Sequence, residues 1–174
     1  MTDRDIPFII ASPSDIVPRE GPRPATTKTA PHSQADQLPS TEDRARLSEL
    51  LITQLSALPG TMTGGSRRAP PGTTGFHMAT PPPACAERAF LLGAEFAHVH
   101  TEDDGSLHTV LPEPLRQAAI DAGWAEPHPF AGMPTVSPDT VMIYAPRNAD
   151  EVGVVAALVR AAWRNASDAA RKKA

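Results

Sequence analysis

One cysteine, one tyrosine and two tryptophans are all that the 174-residue chain has of these residue types. A single thiol, Cys85, excludes an intrachain disulfide framework and a four-cysteine zinc site, and reads as a small buried hydrophobe. No apolar run approaches the length of a membrane span. The opening MTDRDIPFIIASPSD carries one short apolar patch behind an acidic start and reads as neither signal peptide nor anchor. Cytoplasmic residence is therefore the expectation. Long basic runs are missing as well, and a net charge of −4 offers no electrostatic footprint for nucleic acid. No internal repeat is present. Chemistry or binding of a small molecule, by one domain of ordinary size, stays open.

Proline is plentiful, and its distribution divides the chain. Residues 1–39 are rich in Pro, Ser, Thr and Ala and have few large apolar groups after Val17. Such a segment buries too little surface to offset its ordering entropy, so it reads as a disordered, dispensable tail in which His32 has no role, with Phe8, Ile9 and Ile10 as the only candidates for docking. A domain is expected over 40–165, and a frayed C-terminal tail over 166–174. Ser40 has the character of an N-cap for a helix carrying Leu47, Leu50, Leu51, Leu55 and Leu58 and stopped by Pro59 and Gly60. TMTGGSRRAPPGTTG reads as a loop with paired Arg67 and Arg68, and GFHMA as a short strand holding His77. PEPLRQAAIDAGW reads as a second helix ended by Gly123. AEPHPFAGMPTVSPD is a proline-shaped loop, TVMIYAP a buried strand, and NADEVGVVAALVRAAWRNA a final helix capped by Asn148. This order gives an α+β domain: a small, mostly antiparallel sheet of about four strands, including a central hairpin, with helices packed on one face.

The hairpin is EFAHVHTEDDGSLHTVLP, Glu95 to Pro112, with three of the six histidines inside eleven residues. Strand parity puts His98 and His100 on one face in any register. A two-residue Asp104-Gly105 turn would send His108 to the other face. A three-residue loop, with a type I turn through Asp103 and Asp104 and Gly105 at positive φ, pairs His100 with His108 and brings all three imidazoles to one surface. The second geometry is preferred. Under the plainer alternative, Phe96, Val99, Leu107 and Val110 build the hairpin and the histidines decorate its wet face. Glu95, three residues before His98, is expected to point the other way and form a salt bridge.

EFAHVH, GSLHTVLP, AGWAEPHPFAG and IYAPRNADE, in that order and spacing, resemble the luciferase domain of the fungal bioluminescence pathway and its bacterial relatives. The similarity covers roughly Arg88 to Trp163, and more weakly the GFH around His77. It implies a domain that oxygenates a hydroxylated pyrone with molecular oxygen as co-substrate and no organic cofactor, releasing carbon dioxide.

Such chemistry needs a base and a positive environment. His98, His100 or His108 could remove an enolic proton near neutral pH. Arg147, at the strand end in YAPRN, could hold an enolate or peroxide oxygen, or could pair with Glu151 one helical turn on. His128, presented between two prolines, and His77 are candidates for substrate contact. Trp124 and Phe130 could wall a flat aromatic or pyrone-like ligand, and Tyr144 lies on a central strand where it serves either the pocket or the core. The alternative from another class is a metal site, with His98, His100 and His108 as three ligands around an open position. A third reading is a module that binds its small molecule without turning it over.

Overall fold

Ser40 opens the first helix as its position demands, its hydroxyl accepting the Asp43 N–H at 3.1 Å. The computed structural model describes residues 9–171. Helix α1 spans Thr41–Ser56, and Leu47, Leu51 and Leu55 bury its inner face. Strands β1 (Thr61–Gly65), β2 (Thr74–Met78), β3 (Glu95–Val99) and β4 (Leu107–Val110) follow. Helix α2 (Leu115–Asp121), strands β5 (Ala125–Pro127) and β6 (Thr140–Ile143) and helix α3 (Ala149–Arg171) complete the chain. Asn148 caps α3 by accepting the Glu151 N–H at 2.9 Å.

The α+β class is as read, but the sheet has six strands, ordered β1-β2-β3-β4-β6-β5, with each neighbouring pair antiparallel. The two strands the sequence hides are the edges. β1 is glycine-rich and mostly exposed, and β5 has three residues and ends in a proline, which only an edge tolerates. Neither offers the apolar alternation that signals a strand. Helices α1 and α3 cover one face, where Ala97, Val99, Leu107, Val141 and Ile143 join the core.

The hairpin register differs from the expected one by two residues. His108 lies opposite His98, and the loop runs from Thr101 to Gly105, closed by the His100 N–H to Ser106 carbonyl bond at 2.9 Å. A shift of two preserves parity, so the three histidines do share a face, and Gly105 takes the positive φ (+77°) that the turn required. Glu95 breaks parity. Phe76 pairs with Ala97 but His77 pairs with Glu95, so Phe96 is an extra residue in β3. Phe96 and Ala97 both enter the core, and the bulge turns Glu95 onto the histidine face.

Both tails were misjudged where they are described. Ile10 is fully buried and Ile16 nearly so, and the stretch around Thr26 and Gln34 folds back on itself through a β-bridge. Ile10 and Ile16 join the core, where Arg164 of α3 donates to the Ile10 carbonyl at 2.6 Å, and the stretch around His32 reaches the sheet face away from the helices, held there by polar donors and acceptors that composition does not reveal. Phe8 lies outside the described residues. At the other end α3 continues to Arg171 with Ala166 and Ser167 buried. Cys85 is exposed, in a short 3-10 turn over Ala84–Ala89, and not the buried hydrophobe expected. Among the described residues no helix is long and apolar enough to cross a membrane.

Because Ile10 has no exposed surface, Ile10→Ala should cost about 2 kcal/mol or more in urea unfolding. A midpoint equal to wild type would mean the segment does not dock. Gly105→Val places a β-branched residue at φ +77°, with its Cβ about to meet Arg44 Cγ at 3.1 Å. It should lose about 1 kcal/mol or more in the same measurement.

Candidate functional site

The uncovered sheet face gathers its polar groups by register. His98 on β3, His108 on β4, Met142 on β6 and Glu126 on β5 lie opposite one another in a single cross-strand row. His100 extends the face at the end of β3. His32 descends onto it from the N-terminal segment, and His128 follows β5. The ring centroids of His108 lie 5.1 Å from His98, 4.9 Å from His100, 5.3 Å from His32 and 4.8 Å from His128. Five imidazoles therefore line one cavity of about 160 Å³, closed by Phe130, Leu91, Val136 and Pro31, with Arg68 at its wall. A cleft of about 230 Å³ continues from it past His100 and Pro70 towards Glu102. Space of this size accepts one six-membered ring.

Hydrogen bonds fix what each ring can do. Glu95, with no exposed surface, accepts the His98 Nδ1–H at 2.7 Å, the Ser66 hydroxyl at 2.7 Å and the Arg67 N–H at 3.0 Å. Burial alone would raise its pKa, but the hydrogen bonds from His98, the Arg67 N–H and Ser66 hold it below the usual range. His98 Nε2 then faces His108 Nδ1 at 3.0 Å, and His108 Nε2 faces His32 Nδ1 at 3.3 Å. His32 Nε2 meets Glu126 Oε1 at 2.7 Å. Burial pushes His98 and His32 down in pKa against the pull of their carboxylates. His108 sinks well below its ordinary value, first through burial and then through the surrounding histidines.

Two ring nitrogens on the cavity are not engaged by any hydrogen bond among the described residues, and they differ in kind. His100 Nδ1 bonds Asp104 Oδ1 at 3.2 Å. Asp104 also accepts the Ser106 N–H and hydroxyl at 2.9 and 2.8 Å and the Gln34 N–H. A carboxylate accepts only, so the His100 proton sits on Nδ1 and Nε2 presents a lone pair. His128 is the reverse: its Nδ1 accepts the Phe130 N–H at 3.1 Å, which leaves Nε2 as an N–H donor. Burial, then the neighbouring His32, hold His128 down to a pKa of about 4, so it stays neutral.

The sequence-predicted residues thus divide. His98, His100, His108, His128 and Phe130 meet at the cavity. Arg147, Trp124, Tyr144 and His77 do not line it. Arg147 donates to Glu151 at 2.7 Å and to the Glu20 carbonyl at 3.0 Å. Trp124 donates its indole N–H to the Val17 carbonyl at 2.6 Å. Arg19 lies 5.8 Å from the Trp124 ring and 5.6 Å from the Tyr144 ring, and pairs with Glu151 at 3.3 Å. Tyr144 donates to Glu126 at 3.3 Å, and burial pushes its pKa up to about 12. These three residues fasten the N-terminal segment. His77 on β2, paired with Glu95 and beside Gly75, lies on the same face outside the cavity lining. The residues that sequence reasoning missed are His32, Arg68, Asp104 and Glu126. One signal existed for His32: Pro31 precedes it, as Pro127 precedes His128.

Ring nitrogens of His32, His108 and His128, and those of His98, His100 and His108, lie within 4.8 Å of one another. Both nitrogens of His98, His108 and His32 already face protein partners within 3.3 Å. A metal on the His98, His100 and His108 set would have to break the His98–His108 contact, while His108 Nε2 and His32 Nδ1 of the other set already face each other.

Residues 93–162 match the family model described as Luciferase domain. The luciferase of Armillaria gallica is 30% identical over 169 residues, covering 84% of this chain and 59% of that protein. That of Armillaria mellea agrees to the same extent. The luciferase of Neonothopanus nambi is 38% identical over 69 residues, 38% of this chain and 26% of its own. The chain thus spans about three fifths of the length of the Armillaria relatives. No solved structure matches. The matched region holds His98, His100, His108 and His128, whereas His32 and Arg68 lie before it.

The depressed histidines make stability depend on pH. His128 binds a proton near 6.5 when unfolded and at about 4 when folded. Its contribution is complete above about pH 6.5 and is lost as pH falls towards 4. Denaturation midpoints should fall across that window, and less steeply in His128→Gln. An unchanged slope in the variant would remove His128 from the cavity.

Proposed function

The chain belongs with the proteins that carry a luciferase domain, and on that premise we propose that it is a cofactor-independent oxygenase acting on a small, flat, enolic compound of the pyrone class. The observation that carries the reading is the opposed pair of free ring nitrogens on one cavity, an acceptor at His100 and a donor at His128. His100 Nε2, oriented by Asp104 as a base is oriented by its carboxylate, takes the enol proton. His128 Nε2–H and the Arg68 guanidinium hold the oxygen that becomes negative. Arg68 takes the place that the sequence suggested for Arg147.

The electron-rich anion adds molecular oxygen, forming a carbon–oxygen bond and a peroxide anion. The peroxide attacks the lactone carbonyl, the strained endoperoxide expels carbon dioxide, and the proton on His100 returns to the product oxygen. Phe130, Leu91 and Val136 line the cavity with apolar surface, and a bound ring that covers it would displace water and strengthen the electrostatic contacts inside. Among known proteins the name luciferase belongs to the relatives; light emission is no part of what the residues themselves require.

Hydroxylated pyrones should cause oxygen uptake with equimolar carbon dioxide release. His100→Gln should lower turnover by about 10²–10⁴-fold with a near-normal melting temperature, and Arg68→Ala should lower kcat more than it raises KM, because the charge it faces develops during the reaction. Arg147→Lys should cost stability through the Glu151 pair and leave turnover near wild type. A pyrone that binds without oxygen uptake would make the cavity a binding module instead.

A further inference from the structure

Five groups stand in a row across the cavity floor and make four contacts. They are Glu95 to His98 at 2.7 Å, His98 to His108 at 3.0 Å, His108 to His32 at 3.3 Å and His32 to Glu126 at 2.7 Å. Each is a hydrogen bond only if it contains a proton. Three neutral imidazoles bring three protons, and ionised carboxylates bring none. Both carboxylates are surrounded by other donors: Glu95 by Ser66 and the Arg67 N–H, Glu126 by Thr26, Lys28 and Tyr144.

Counting inward from the ends fixes every tautomer. Glu95 requires the His98 proton on Nδ1, which leaves Nε2 bare and requires the His108 proton on Nδ1. Glu126 requires the His32 proton on Nε2. The two runs of donors meet at His108 Nε2 and His32 Nδ1, both bare, at the longest of the four contacts. We infer that this pair of facing lone pairs is a second proton acceptor of the cavity, completed by the N-terminal segment, for a ligand with an acidic O–H. The ligand O–H bond breaks, its electron pair stays on oxygen, and the proton is shared by two nitrogens. The row then has four protons for four contacts and changes from two net negative charges to one. His98, His100 and His128 face the pair from β3 and the loop after β5, Arg68 from the loop after β1, and Lys28 stands behind Glu126.

The inference deepens the proposed function, resting on an acidic ligand in this cavity, and its test needs no ligand. Histidine-ring ¹⁵N spectra of the full chain report which nitrogen of each ring is protonated. Above the pair's uptake, His98 and His108 should carry their proton on Nδ1 and His32 on Nε2. On acidification the bare nitrogens of His32 and His108 should gain one proton together. Glu126→Gln offers an amide N–H to His32 Nε2, so the His32 proton should move to Nδ1 and the joint uptake should vanish. The wild-type spectra decide even if that variant does not fold. A His32 proton on Nδ1 in wild type, or independent titration of the two rings, overturns the inference. Failure of pyrone oxygenation with these spectra intact would sink the proposed reaction and leave the acceptor standing.

Discussion

Two buried or half-buried carboxylates, Glu95 and Glu126, are the fixed charges around which the histidine face is arranged. Each can only accept hydrogen bonds, so each dictates the proton position of the imidazole beside it, and that imidazole dictates the next. Unpaired charge inside a protein is costly enough that the surrounding structure must supply partners. Here the partners come from far apart in the chain: Ser66 and the Arg67 backbone for one carboxylate, Thr26, Lys28 and Tyr144 for the other. Satisfying Glu126 therefore draws the N-terminal segment onto the sheet.

The segment turns an open sheet face into a cavity. Gln34 joins the hairpin loop to the end of β6, its backbone N–H reaching Asp104 and its side chain accepting the Ala145 N–H at 2.9 Å. Asp104 in turn orients His100. Arg147, Trp124 and Tyr144 bind the same segment further along, so residues that look like site groups in sequence serve the site indirectly by holding His32 in it. Deep burial of His108 and neutrality of His128 follow from that closure. Burial in the cavity thus favours the neutral form of His32, His98, His108 and His128.

Legibility in the sequence followed the physics of each signal. The helices were readable because caps and apolar spacing are local, as at Ser40 and Asn148. The shared face of His98, His100 and His108 was readable because parity survives a two-residue shift of register. Parity failed for Glu95, since the Phe96 bulge depends on packing that no local rule encodes. The edge strands were hidden by glycine and proline, and the docked segment by its composition, because side-chain and backbone hydrogen bonds across a hundred residues leave no periodicity to read. His32 was lost with it, although the proline argument applied to His128 was equally available for Pro31-His32.

At the centre of this account is the claim that the cavity itself accepts the proton of an acidic ligand. Calorimetric binding of a hydroxylated pyrone under anaerobic conditions, repeated in buffers of different ionisation enthalpy at a pH where the free pyrone is protonated, counts the protons released to solvent. The bound pyrone should be anionic, as seen in its absorbance, with little proton release. Full release of one proton per bound anion, or a bound pyrone that stays neutral, would contradict it.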